Sequence, residues 1–181
     1  MPHNWNPGNR FARAWRSAFV CLCLAGTALL PAVAQADARS QAKRMHDRLA
    51  GVPPTEAVLT SMASDIAAGR STDAANTAMQ HRAFYDVTLK NFAMPWTNRD
   101  QTVFAPLNDY VATVIGMARD DVAFDRVLYD DILYVGRSGL GVPGYSPSDN
   151  DHYAALESQG VNLKDNLVAT TQSAANGIPA E

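Results

Sequence analysis

The 181-residue chain (19.5 kDa) joins 47% hydrophobic to 18% charged residues with ordinary Gly and Pro contents, a globular profile that excludes collagen-like and repeat-built fibres. A formal charge of −3 and a mean hydropathy of −0.17 argue against a nucleic-acid binder, which carries net basic charge, and against a polytopic membrane protein, which needs several long apolar runs.

The N-terminus reads as a signal peptide over residues 1–36. Arg10, Arg13 and Arg16 form a basic stretch without an acid, and Ala18 to Leu30 form an apolar run of 13 residues, short of the roughly 20 that span a bilayer. Ala32-Val33-Ala34 and Ala34-Gln35-Ala36 both fit a small-residue cleavage site, the second being preferred because the polar chain starts at Asp37. Sec-type export to the periplasm or the cell exterior follows, with no membrane anchor after cleavage. The arginines are not adjacent, so a twin-arginine route is unsupported. Cys21 and Cys23 both fall in the leader. Residues 37–181 therefore have no disulfide, catalytic thiol, thiolate metal site or CxxCH haem attachment of their own. Removing the three leader arginines takes the charge from −3 to −6, a surface that repels phosphate backbones and anionic lipids.

Helical punctuation runs through the rest, which is read as one helical domain over residues 37–181. Ala42, Met45 and Leu49 predict a helix from Arg39 to Ala50, stopped by Gly51. After the turn Val52-Pro53-Pro54-Thr55, a stripe of Val58, Leu59, Met62 and Ile66 predicts a second helix that ends at Gly69 and carries Glu56 in its first turn. Ser71, Thr72 or Asp73 is expected to cap a third, Ala-rich segment that runs on through Phe84, Val87, Leu89 and Phe92 to Pro95. The proline-bounded stretch Pro95 to Pro106 predicts an ordered loop anchored by Trp96 and Phe104.

Leu107, Val111, Val114, Ile115 and Ala118 form the cleanest helical stripe. Asp120 or Asp121 is expected to cap a helix with Phe124, Val127, Leu128 and Ile132 on its core face, running to about Tyr134. A Gly-, Pro- and Ser-rich loop spans Gly136 to Asn150, and helices over about Asp151 to Ser158 and Lys164 to Ala174 follow. The only strand-like run is the weak DILYV stretch. The fold class expected is all-α, an irregular bundle of six or seven helices.

Each chemistry-like motif has a bland counterpart. Gly139-Leu140-Gly141-Val142-Pro143-Gly144 matches GxGxxG, but Pro143 and the following Tyr145-Ser146-Pro147 keep the chain irregular where a phosphate-binding helix must open. Asp149, Asn150 and Asp151 suggest a hard-cation loop. The EF-hand pattern fails at Ala154 and Gly160, so an N-cap with a solvent-facing His152 is the plainer reading. His46, His81 and His152 lie far apart, without HExxH. Asp120-Asp121 and Asp130-Asp131 read as caps and solvated acids rather than as an acid–base pair. No GxSxG string occurs in residues 37–181. Trp96 with Arg99 makes a candidate cation-stacking surface for a partner or a sugar, set against a buried Trp and a salt-bridged Arg.

The strings AKRMHDRLAGVPPTEAVL, FYDVTLKNFAMPWTNRDQTVFAPLNDYVATVIGMARDDVAFDRVLYDDILYVG and NDHYAALESQGV resemble the N-terminal region of a family of exported bacterial proteins of unknown function. In its longer members a helical region precedes segments with CxxCH c-type haem motifs. Arg119 to Leu128 is similar to the R-x-x-x-x-F/Y-D-R-hydrophobic element of cytochrome-associated helical domains. The likeness covers most of residues 42–174. It implies a non-catalytic module that docks or positions a periplasmic protein partner or a haem-bearing region. This chain reaches Glu181 without a CxxCH, so no haem ligand carries over, and a piece of a longer product without independent function is a further reading. The competing class is an exported hydrolase or ligand-binding protein with a site at the 136–152 loop, where His152 and nearby Asp residues act as acid and base. The candidate surface residues are Trp96, Arg99, Tyr145 and His152, with no metal ligand and no catalytic residue named.

Overall fold

The computed structural model describes residues 37–177, so the leader read over residues 1–36 lies outside the described residues. The chain forms a largely helical domain with one small two-stranded antiparallel sheet, which corrects the all-α expectation. Eight α-helical segments occur among the described residues, where six or seven helices were expected.

Helix α1 covers residues 37–50 and stops at Gly51, whose φ of 70° is the left-handed value that a β-carbon disfavours. Helix α2, Glu56–Ala67, starts at Thr55, whose hydroxyl accepts the Val58 N–H, while Glu56 pairs with Arg39 of α1. His46, buried on α1, donates from Nδ1 to the Val52 carbonyl at 2.7 Å and so holds the turn between the two helices. Helix α3, Ser71–Met79, has no side-chain cap, so the cap expected from Ser71, Thr72 or Asp73 does not form. These three helices enclose a core of Ala42, Met62, Ala74 and Ala78, flanked by half-buried Met45, Leu49, Val58 and Ile66.

A second, larger core surrounds helix α5, Asp109–Arg119. Asn108 caps α5 through the Val111 N–H at 3.0 Å, and every residue from Val111 to Met117 is buried. The stripe read from sequence describes one face. The helix is covered on its other faces by a π-helical turn, Phe84–Leu89, with helix α4, Lys90–Ala93, and by the sheet. Strand β1, Leu133–Gly136, pairs antiparallel with strand β2, Leu167–Thr170, in the register Leu133 to Thr170 and Gly136 to Leu167. Gly116 in α5 lies directly against the Tyr134 ring of β1, and helix α6, Asp151–Ser158, packs on β1 where Gly136 faces Leu156.

Two expected helices are replaced. Phe124 to Leu128 is a short 3-10 turn preceded by Ala123, without a side-chain cap from Asp120 or Asp121, and the chain then straightens into β1. The helix expected over 164–174 is a single turn, α7 (Leu163–Asn166), then β2, then helix α8 (Gln172–Ala175). Leu167 adopts ψ 141°, and the run Val168, Thr170, Thr171 is β-branched, a composition that favours a pleated surface. Among the described residues no helix is long and apolar enough to cross a membrane.

Candidate functional site

Most of the acidic side chains that could carry chemistry are already engaged. Asp86 accepts the Leu163 N–H at 2.9 Å and pairs with Arg82, which also donates to the Gly160 carbonyl. Glu157 accepts the Leu107 N–H at 2.8 Å and pairs with Lys90. Asp130 pairs with Arg126, and Asp131 accepts both the backbone N–H and the hydroxyl of Ser173. Asp120 forms a two-point pair with Arg119 and accepts the Tyr134 hydroxyl at 2.8 Å. The contacts of Asp86, Glu157 and Asp131 join elements distant in the chain, and a carboxylate held by ionic and backbone donors is a poor proton acceptor for a substrate. No cluster of three or more His, Cys, Asp and Glu side chains suited to a metal ion occurs among the described residues.

His152 is not the solvent-facing residue of the plainer sequence reading. Only 3% of it is exposed, and both ring nitrogens bond to backbone. The Gly136 N–H donates to Nε2 at 2.9 Å, and Nδ1 faces the Pro143 carbonyl at 2.7 Å, which fixes the ring as the tautomer protonated at Nδ1. No carboxylate is among its partners, as the acid–base role required. Burial follows from packing: the ring stands edge-on to Tyr153, whose own ring stands edge-on to Tyr145. A β-carbon on Gly136 would meet Leu156 at 2.8 Å and the His152 ring at 3.3 Å, so glycine is what lets β1 approach α6. His152 thus staples the start of the 136–150 loop to its middle. The variant His152→Phe keeps the ring but strands the Gly136 N–H and the Pro143 carbonyl; it should lower unfolding free energy by about 2 kcal/mol and speed tryptic cleavage at Arg137, read by urea titration and limited proteolysis.

Trp96 is 56% exposed, and the expected stacking on Arg99 is not made. Arg99 itself is exposed, with no ion pair among the described residues. The Trp96 ring instead meets Phe92 edge-on at 4.9 Å between centroids and Phe124 at 6.4 Å. Phe92 and Trp96 are one helical turn apart on the segment from α4 into the 3-10 turn Met94–Trp96, and Phe124 comes from the 3-10 turn beyond α5. Met94, between them in sequence, is fully buried and holds this edge of the surface. Leu128, in the same turn as Phe124, is 83% exposed, so the core face expected for Phe124 and Leu128 points to solvent. Phe104 is 91% exposed and does not anchor its loop. Asn98 performs that work: its amide donates to the Met94 and Thr102 carbonyls, and its oxygen accepts the Thr102 N–H.

No family model, curated protein or solved structure matches the chain.

The four residues singled out from sequence thus divide. Trp96 belongs to the aromatic surface, Arg99 follows it in the adjoining loop, and Tyr145 and His152 belong with Tyr153 to a separate group behind the 136–150 loop. Phe92, Phe124 and Leu128 were missed because apolar residues spaced three and four apart read as a core face. The contrary signal was the charge density around Phe124 and Leu128, with Asp120, Asp121, Asp125, Arg126, Asp130 and Asp131 within twelve positions, more charge than a buried turn carries.

Proposed function

We propose that the chain is an exported, non-catalytic helical module that docks a protein partner through the surface of Phe92, Trp96 and Phe124. The supporting observation is that aromatic cluster. Three large rings, each about half exposed, present roughly 300 Å² of contiguous apolar surface, within the roughly 300–600 Å² of the largest patch on a typical monomer, which is often a functional one. Aromatic side chains are also the commonest binding hot spots, because they deliver large area with few rotors. The engaged state of the carboxylates and of His152 argues in the same direction.

A periplasmic redox protein is the class of partner this reading takes, on the sequence resemblance to the front region of haem-bearing exported proteins. Residues 37–181 contain no cysteine and so do not fit a thioether-linked haem; in this reading the haem belongs to the partner. The test is the native product from the periplasmic fraction. A species of about 16 kDa without covalent haem, recovered in a larger haem-positive complex, is expected. Trp96→Ala should weaken that complex by about 30-fold, a hot-spot loss of about 2 kcal/mol, while changing the chain's own stability by less than about 1 kcal/mol. A free monomer that ignores the substitution would refute docking through this surface.

A further inference from the structure

A second concave feature lies away from the aromatic surface, where α5, the 3-10 turn Phe124–Leu128, β1, the 136–150 loop and α8 meet. It is a cleft of about 130 Å³ with an apolar wall of Val127, Ile132 and Leu133. Asp109, Tyr110 and Tyr145 complete it. No basic side chain lines it, and Asp109 makes no ion pair among the described residues. The phenol of Tyr145 is raised above its ordinary value by burial and then by the negative charge of Asp109, and Tyr153 behind it is raised by the same two causes, which places both hydroxyls in the field of that carboxylate.

The other polar groups are occupied within the chain. Thr113 accepts the Tyr134 N–H at 3.2 Å, and Gln172 donates to the Ile132 carbonyl at 3.2 Å. The start of α5 offers nothing to an anion, because Asn108 takes the Val111 N–H and Asp109 takes the Tyr110 N–H at 2.7 Å. What remains is a carboxylate without a counter-ion beside two aromatic rings and an aliphatic wall, the combination that recognises an alkylated cation. The volume, about that of four waters, admits a headgroup and little more.

We propose that this cleft binds a small organic ammonium ion, its charge set against Asp109 and its alkyl groups against Tyr110 and Tyr145. The site is independent of the docking reading: it shares no residue with the Phe92, Trp96 and Phe124 surface.

The test is a titration of the chain with tetramethylammonium chloride followed by the ring resonances of Tyr110 and Tyr145, in parallel with tert-butanol, a neutral molecule of similar shape, and with sodium chloride at equal ionic strength. Saturable shifts with millimolar affinity for the ammonium ion alone are expected. Asp109→Asn should weaken them by about tenfold or more, since it keeps the shape and removes the charge. Asp109 is exposed, so the variant should fold, and Tyr145→Leu, which keeps apolar bulk and removes the ring, gives a second loss of binding. Absence of saturation, equal binding of tert-butanol, equal shifts with sodium chloride, or full binding by Asp109→Asn would each overturn the assignment.

Discussion

Gly116→Ala is expected to lower the unfolding free energy by about 3 kcal/mol or more, although alanine is the better helix former by about 1 kcal/mol. An added β-carbon would lie within 2.5 Å of three carbons of the Tyr134 ring, inside van der Waals contact. That ring cannot swing aside. Tyr134 is buried, its N–H donates to Thr113, its carbonyl accepts the Tyr153 hydroxyl and its own hydroxyl is held by Asp120. Relief must come from moving α5 away from β1, which opens the larger core, and a close-packed interior resists that. Urea denaturation followed by tyrosine fluorescence measures the effect. Gly144→Ala is the control: a β-carbon there meets nothing within 4 Å, and a change under about 0.5 kcal/mol is expected. Equal stability of the two variants would mean that α5 and β1 are not as close as described.

Arg119→Leu should cost about 3 kcal/mol at neutral pH, by a different route. Its guanidinium, mostly buried, donates to the Lys164 carbonyl at 3.0 Å and the Leu167 carbonyl at 2.6 Å, forms the two-point pair with Asp120 and lies 5.7 Å from the Tyr134 ring centroid. One side chain thus joins the end of α5 to the turn that launches β2, and its removal leaves two carbonyls and a carboxylate short of donors. The loss carries a pH signature. Hydrogen bonding to Arg119 holds the Asp120 carboxyl below its ordinary value against the opposing effect of burial, helped by the Tyr134 hydroxyl; Tyr134 is in turn pushed up to about 12, chiefly by burial. A carboxyl lowered on folding contributes stability above its unfolded value of about 3.9, and that contribution disappears as pH falls through the folded value. The gap between wild type and Arg119→Leu should therefore narrow in acid, with the variant showing the flatter profile below about pH 4. A gap unchanged from pH 7 to pH 2 would assign the loss to packing alone.

How much of this was legible in the sequence depended on element length. Helices α1, α2, α5 and α6 were visible because eight or more residues gave periodicity room to show, and α1, α2 and α6 also ended at Gly51, Gly69 and Gly160. Strands of four residues give a fainter record: β1 shows only as the weak DILYV run. In β1 the residues Leu133 and Tyr134 are both buried, so the alternation that marks a strand is missing, and around β2 the spacing of Leu163, Leu167 and Thr171 imitates a helix. The 3-10 turn at Phe124 deceived for a related reason, since its apolar spacing fits a helix that never forms. His152 was placed in solvent because a lone histidine after Asp151 looks like part of a cap; its two partners, Gly136 and Pro143, are 16 and 9 residues away, and only folding brings them together. Of the three rings of the aromatic surface, only Trp96 was legible.

The division into two cores bears on how the molecule comes apart. The N-terminal core holds three alanines and a single large side chain, Met62, whereas the core around α5 includes Tyr134, Tyr153, Ile115, Met117 and Leu156. Burial of apolar area is the main force against chain entropy, so helices α1 to α3 have far less to hold them than the rest. They form a weakly cooperative unit that can open while α5 and the sheet stay folded. Hydrogen exchange is expected to show lower protection in α1 to α3 than in α5, and in that case a midpoint taken from overall helicity blends two transitions. Trp96, the only tryptophan between residues 37 and 181, sits on the stronger unit and reports that transition alone.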